Sequence, residues 1–126
     1  MADMGMQEAV RTVFGKYADF NGRARRQEYW WFTLFSLIIS LVLNILTRAM
    51  AGSSLAMIFA VIAMIYGLGV LIPSIAVGVR RLHDMDKSGW WLLIAFVPIV
   101  GGLLLLYWFV QRGTVGPNQY GPDPVT

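Results

Sequence analysis

Apolar positions in this chain gather into three long runs with short polar breaks between them. Residues 29–47 give 19 positions without a charge, residues 55–79 give 25, and residues 90–110 give 21. A helix needs roughly 20 apolar residues to cross the hydrocarbon core of a bilayer. The pattern therefore predicts an all-α membrane protein with three transmembrane helices in one membrane domain spanning residues 1–126. The breaks are a turn at 48–54 and a charged hinge loop at 80–89, and a tail over 111–126 follows the last run.

Ahead of the first run, residues 1–19 show helical spacing. Met6, Ala9, Val10, Val13, Phe14 and Tyr17 fall on one face, and Gln7, Glu8, Arg11, Thr12 and Lys16 on the other. This predicts an N-terminal amphipathic helix. Next to a span and with basic flanks, such a helix suits the plane of the membrane interface. Packing of the same face on the protein's own helices is the equal alternative, because amphipathicity does not name the partner. Phe20-Asn21-Gly22 ends this segment as a turn. Arg23, Arg25 and Arg26 then precede Tyr29, Trp30 and Trp31, which suits cations at headgroup phosphates and aromatic rings at headgroup depth.

The runs carry their own punctuation. Pro73 has no N–H and crowds the carbonyl of Gly69, so a kink is expected there. Ala56/Ala60, Ala63/Gly67 and Ser74/Gly78 put small residues four apart, a spacing that lets helices approach closely within a chain or between copies. The third run contains Pro98 and Gly101-Gly102, with Tyr107 and Trp108 as anchors at its far end. A cleaved signal peptide competes for the first run, since Ala49-Met50-Ala51 resembles a cleavage site. The run is longer than the usual h-region of about 7–15 residues, and the 28 residues ahead of it are too many.

Composition fits a membrane chain. Apolar residues make up 57% and charged residues 13%, with a mean hydropathy of +0.61, against about 25% charged in soluble domains. The absence of cysteine excludes disulfides, thiolate catalysis and Cys-based metal centres. The net charge of +3 does not point to nucleic acid, because the basic residues flank apolar runs and form no stripe. Arg11, Lys16, Arg23, Arg25, Arg26, Arg80, Arg81 and Lys87 fall on one side of the predicted threading, and Arg48 and Arg112 on the other. Positive charge collects on cytoplasmic loops. The expected arrangement is N-in and C-out, with a cytoplasmic hinge and a periplasmic tail.

Three motifs carry a family resemblance. Residues 20–30, FNGRARRQEYW, resemble the opening F-x-G-R-x-x-R-x-E-[YF]-W of the family catalogued as domain of unknown function 805, the YhaH-like small bacterial inner-membrane proteins. Arg80-Arg81-Leu82-His83-Asp84 with Ser88-Gly89-Trp90-Trp91 is similar to its second motif. Gly116, Asn118, Tyr120-Gly121 and Asp123-Pro124 are similar to its tail motif. The resemblance spans about residues 14–124. It implies a bacterial inner-membrane location and three spans, and no activity.

Candidate chemistry concentrates where the first and second motifs meet the membrane. His83, Asp84 and Asp86 are a weak beginning of a metal or acid–base cluster, since metal sites need three or four ligands. Pairing of the acids with Arg80, Arg81 and Lys87 is the preferred reading. Ser88 reads as the N-cap of the next helix rather than a nucleophile. No catalytic residue, metal or cofactor is assigned. Arg23, Arg26, Glu28, Arg80, Arg81, His83 and Asp84 form the candidate lipid- or partner-binding charge cluster. Arg80 and Asp84 stand one turn apart and can pair, and Glu28 is expected to take Arg81 first and Arg80 second. The surplus positive charge would meet anionic lipid headgroups or an acidic partner. The first functional reading is a non-enzymatic scaffold or accessory subunit that contacts membrane lipids, a second copy or another membrane protein. The alternative is an oligomeric channel or transport element, and a membrane enzyme ranks third.

Overall fold

The structure, a computed structural model, describes residues 4–124, which are helical with no strand. The elements are α1 (Met6–Gly15), α2 (Arg26–Ala49), α3 (Ser54–Asp84), a 3-10 helix (Gly89–Phe96) and α4 (Val100–Val110). At 1.5 Å per residue α2 is about 36 Å long and α3 about 46 Å. Among the described residues these two are long and apolar enough to cross a membrane. Their uncharged parts are residues 29–47 and 55–79, so residues 26–28 and 80–84 are helical extensions beyond the apolar depth. The expected hinge loop thus shortens to residues 85–88.

α1 packs its buried face, Ala9 and Val13, on the protein's own helices. Val13 clusters with Ala24, Phe32 and Val77, and Phe14 meets Phe32 edge-on at 5.6 Å between ring centroids. Just past α1, the Tyr17 hydroxyl donates to the Gly69 carbonyl. That carbonyl would ordinarily accept from the N–H of residue 73, which is proline. α3 runs as one helix straight through Pro73, and the bond that proline removes is replaced from the turn after α1.

The expected third span is corrected. Residues 90–110 form a hairpin, not one helix. Ser88 caps the 3-10 helix, its Oγ accepting from Trp90 N at 3.3 Å. A proline disfavours helical backbone at the residue before it, and Val97 is extended at φ −80°, ψ 115°. Ile99 then adopts φ 67°, ψ −63°, and Val100 N donates to Pro98 O at 2.7 Å. This is a γ-turn, a strained reversal for a β-branched residue. Eight residues at about 2.0 Å rise and eleven at about 1.5 Å give two arms of about 16 Å each. The chain therefore returns to the level it left, and neither arm approaches the roughly 30 Å of a bilayer core. The arms touch at Gly101, where a Cβ would lie 1.6 Å from the Ile94 carbonyl oxygen.

The expected separation of hinge and tail is corrected for the same reason. Thr114 N donates to Asp84 O at 2.7 Å, and the tail packs at the end of the bundle that holds Arg23 and the end of α3. Only an odd number of crossings puts the tail opposite the hinge. Two long helices and a returning hairpin bring it back. The buried residues collect at this end: Leu82, Leu105 and Phe109 form the second apolar cluster beside the first. Elsewhere α2 and α3 expose Leu37, Leu41, Ile45, Met57, Met64, Ile65 and Leu68, a surface that suits lipid.

Candidate functional site

Among the described residues, the largest fully buried side chains are Arg80 and Arg81. Charged side chains are almost never fully buried unless paired, and each has its partner. Arg80 Nη1 donates to Glu28 Oε2 and its Nε to Asp19 O at 3.1 Å, tying α3 to α2 and to the loop before it. Its Nη2 is buried without a hydrogen-bond acceptor, so the Glu28 carboxylate carries most of the compensation. Arg81 Nη1 donates to Asp84 Oδ2 at 2.9 Å. The expected pairings are therefore exchanged: Glu28 takes Arg80 rather than Arg81, and Asp84 takes Arg81 rather than Arg80. Successive residues on a helix point about 100° apart, so only one of the two arginines can face α2, and Arg80 is the one.

The other donors of Arg81 serve α4. Its Nη2 reaches Phe109 O at 2.9 Å and also Gln111 O, while Nε reaches Phe109 O at 3.2 Å. Trp30 Nε1 donates to the same Phe109 carbonyl at 2.9 Å, and Arg26 Nη1 to Val110 O at 3.1 Å. The last carbonyls of a helix have no partner of their own and carry its negative pole. Cations from α2 and α3 thus cap α4 and hold the returning arm in place.

Arg23 ties down the tail. A guanidinium has five N–H donors, and the five contacts of Arg23 run to Asp84 Oδ1 at 2.9 Å, Asp84 O at 3.4 Å, Thr114 O at 2.6 Å, Gly116 O at 2.7 Å and Gly121 O at 3.3 Å. Gly113 lies against Asp84 so closely that a Cβ would stand 2.0 Å from Oδ2. His83 stacks flat on Tyr120 with centroids 3.8 Å apart, and its Nδ1 donates to Gly22 O at 3.0 Å. Asn118 Nδ2 donates to His83 O at 2.9 Å. Arg112 and Asp123 close the tail on itself at 2.7 Å.

Burial dominates the electrostatics of this layer. It raises the Glu28 carboxyl against the pull of Arg80, and raises Asp84 against Arg81 and Arg23. It lowers Arg81 to about 10 despite Asp84. It lowers His83 against the hydrogen bond to Gly22, which favours the neutral ring. Buried pairs of this kind add little net stability but cost several kcal/mol when one partner is lost.

Of the seven candidate residues, the structure brings Arg23, Arg81 and Asp84 into one group and Glu28 and Arg80 into another, with His83 beside them and Arg26 exposed at the edge. Asp86 turns away at φ 60° and is exposed. Among the described residues no group of three or more His, Asp or Glu is placed to hold a metal ion. Trp30, Gly113, Asn118 and Tyr120 also build the site. The tail motif marks Asn118 and Tyr120, whereas nothing local marks Gly113.

A cleft of about 480 Å³ borders this layer on the other face of α3, between α3, the 3-10 helix and Tyr120.

Two helices long and apolar enough to cross a membrane, closed at one end by a buried ion-paired cap, fit a small integral membrane protein. The chain belongs to the family described as protein of unknown function (DUF805), whose model matches residues 17–122. It is 43% identical over 113 residues to inner membrane protein YhaI of Escherichia coli strain K12, covering 90% of this chain and 92% of that protein. It is 44% identical over 112 residues to inner membrane protein YhaH of the same strain, covering 89% and 92%. The uncharacterized protein YiiR of that strain is 29% identical over 138 residues, covering 82% and 84%. No solved structure matches the chain.

Proposed function

We propose that this inner-membrane protein is a non-enzymatic scaffold or accessory subunit, acting through contacts with lipid and with other membrane chains. One observation carries the reading: the ionisable side chains gathered at the charged end are spent on one another and on backbone carbonyls. Arg23, Arg80 and Arg81 are buried, so attraction to anionic headgroups falls to exposed Arg11, Lys16 and Arg26, each worth about 1 kcal/mol near an anionic surface. The same reading places α1 and the tail segment 111–124 on the cytoplasmic side. With the tail beside the hinge, Arg112 joins the other eight cations, and Arg48 alone of the ten Lys and Arg is left at the opposite end. Nine to one is a steeper asymmetry than three spans would give.

A second reading, an oligomeric pore, is favoured by one feature. Ser40, Asn44 and Thr47 line a cleft of about 300 Å³ with Ala60 and Ala63 in the half of the bundle away from the cap, and polar and small residues are typical of contacts between membrane helices. Extraction in mild detergent and ion flux in sealed proteoliposomes separate the two. The scaffold reading expects a defined complex larger than a monomer and no flux. A lone monomer, or flux above protein-free vesicles, overturns it. Threading is tested by an impermeant thiol reagent on whole cells: Ser53→Cys should label from outside, and Lys87→Cys and Gln119→Cys should not.

A further inference from the structure

The cleft beside the cap has the shape and polarity of a binding site for a single amphiphile. At about 480 Å³ it falls within the range of small-molecule sites, roughly 300–1,000 Å³. Its long walls are Ile75 and Val79 from α3 and Leu92 and Leu93 from the 3-10 helix. Its upper end holds His83 and Ser88, with Phe20 and Tyr120 across it. The cleft therefore begins within the apolar depth of residues 55–79 and ends in the polar layer above it, as a membrane lipid does.

The polar end has a defined hydrogen-bonding character. His83 is 8% exposed and its Nδ1 donates to Gly22 O. A neutral imidazole with a proton on Nδ1 presents Nε2 as an acceptor. Burial lowers the pKa of this ring and favours the neutral form. Ser88 Oγ already accepts from Trp90 N, which leaves its O–H as a donor. His83 and Ser88 thus bring one acceptor and one donor to the lining of an apolar trough, and Arg23, Arg80 and Arg81 are engaged elsewhere in the cap.

We propose that this cleft binds one membrane phospholipid, with an acyl chain along Ile75, Val79, Leu92 and Leu93 and a headgroup that donates a hydrogen bond to His83 Nε2. A headgroup ammonium or hydroxyl satisfies that acceptor, as in phosphatidylethanolamine or phosphatidylglycerol. Phosphatidylcholine, whose trimethylated nitrogen has no N–H, does not. The site deepens the scaffold reading by naming a ligand class, a phospholipid whose headgroup donates a hydrogen bond, and it rests on that reading only for its purpose.

The test is native mass spectrometry of the full chain in detergent, titrated with each of the three lipids. Wild type should retain one phosphatidylethanolamine or phosphatidylglycerol at least tenfold more tightly than phosphatidylcholine. Whichever of the two binds better identifies the donor as ammonium or hydroxyl. Leu93→Trp fills the trough from a half-exposed position and should abolish the one-to-one complex. His83→Asn keeps a donor for Gly22 O and removes Nε2, so it should retain lipid but bind all three within about twofold. Equal binding of phosphatidylcholine by wild type marks adventitious lipid and overturns the proposal, as does unchanged binding by Leu93→Trp. A protein that forms its defined complex without lipid selectivity loses this inference and keeps the scaffold reading.

Discussion

The Tyr17 hydroxyl donates to the Gly69 carbonyl, the acceptor that Pro73 leaves without its helical N–H. A residue in the turn after the first helix thereby repairs a gap in the middle of α3. An unmade bond at a desolvated carbonyl costs about 1–3 kcal/mol, and the partly exposed setting of Tyr17 argues for the low end.

Tyr17→Phe should therefore destabilise the protein by about 1 kcal/mol in reversible unfolding from defined detergent. Pro73→Ala supplies the missing N–H. The double variant should lose less than the sum of the two singles, and strict additivity would show that the hydroxyl does not serve this carbonyl.

The cap makes a pairing-specific prediction. Glu28→Gln leaves Arg80 buried beside a neutral amide, at a cost of about 3 kcal/mol. In double-mutant cycles with Arg80→Gln and Arg81→Gln, coupling to Arg80 should exceed about 1 kcal/mol and coupling to Arg81 should stay within about 0.5 kcal/mol. The reverse order would restore the pairing expected from sequence.

Gly113→Ala drives a methyl into the Asp84 carboxylate. Overpacking of this kind costs about 1–3 kcal/mol, and here it should lift the tail. Amide exchange at Thr114, which donates to Asp84 O, should accelerate. Gly102→Ala serves as the control, since open space surrounds that position. Equal effects at the two glycines would refute close docking of residue 113.

Acid should loosen the tail through His83. Its folded pKa is lowered from 6.5 by burial, so the unfolded chain binds the proton more readily. The stability from the neutral ring is complete above about pH 6.5 and is lost as pH falls through the folded pKa. Glu28 and Asp84 are shifted upward and slope the opposite way, so the comparison is with His83→Asn, which shares them. Wild type should lose stability relative to that variant below pH 6.5; parallel curves would show that the ring does not titrate in this window.

What local pattern could settle, it settled. Helices at α1, α2 and α3 follow from the spacing of apolar residues and the positions where charge interrupts them. Ser88 sat before an apolar helix with a side chain able to accept from its first N–H groups, and it does. That Arg23, Glu28, Arg80, Arg81 and Asp84 would draw together was legible, because cations and acids at the end of an apolar run must either reach water or find each other. Which residue met which was not legible. A helix turns by 100° per residue, so exchanging Arg80 for Arg81 alters nothing in composition yet points a different guanidinium at Glu28.

The third run shows the boundary most plainly. Its 21 uncharged residues satisfy the length of a span, and hydropathy sums do not register direction. Pro98 holds Val97 extended, Ile99 reverses the chain, and Gly101 lets the arms close on Ile94. Those are contacts and dihedral angles, not composition. Reversal there carries the tail back over Asp84, and with it the side of the bundle on which Arg112, Asn118 and Tyr120 act. The sequence alone determined that the chain is a membrane protein with a charged end. Only the tertiary structure decided that this end is sealed by the chain's own tail, because sealing depends on where two arms of equal length deliver residue 111.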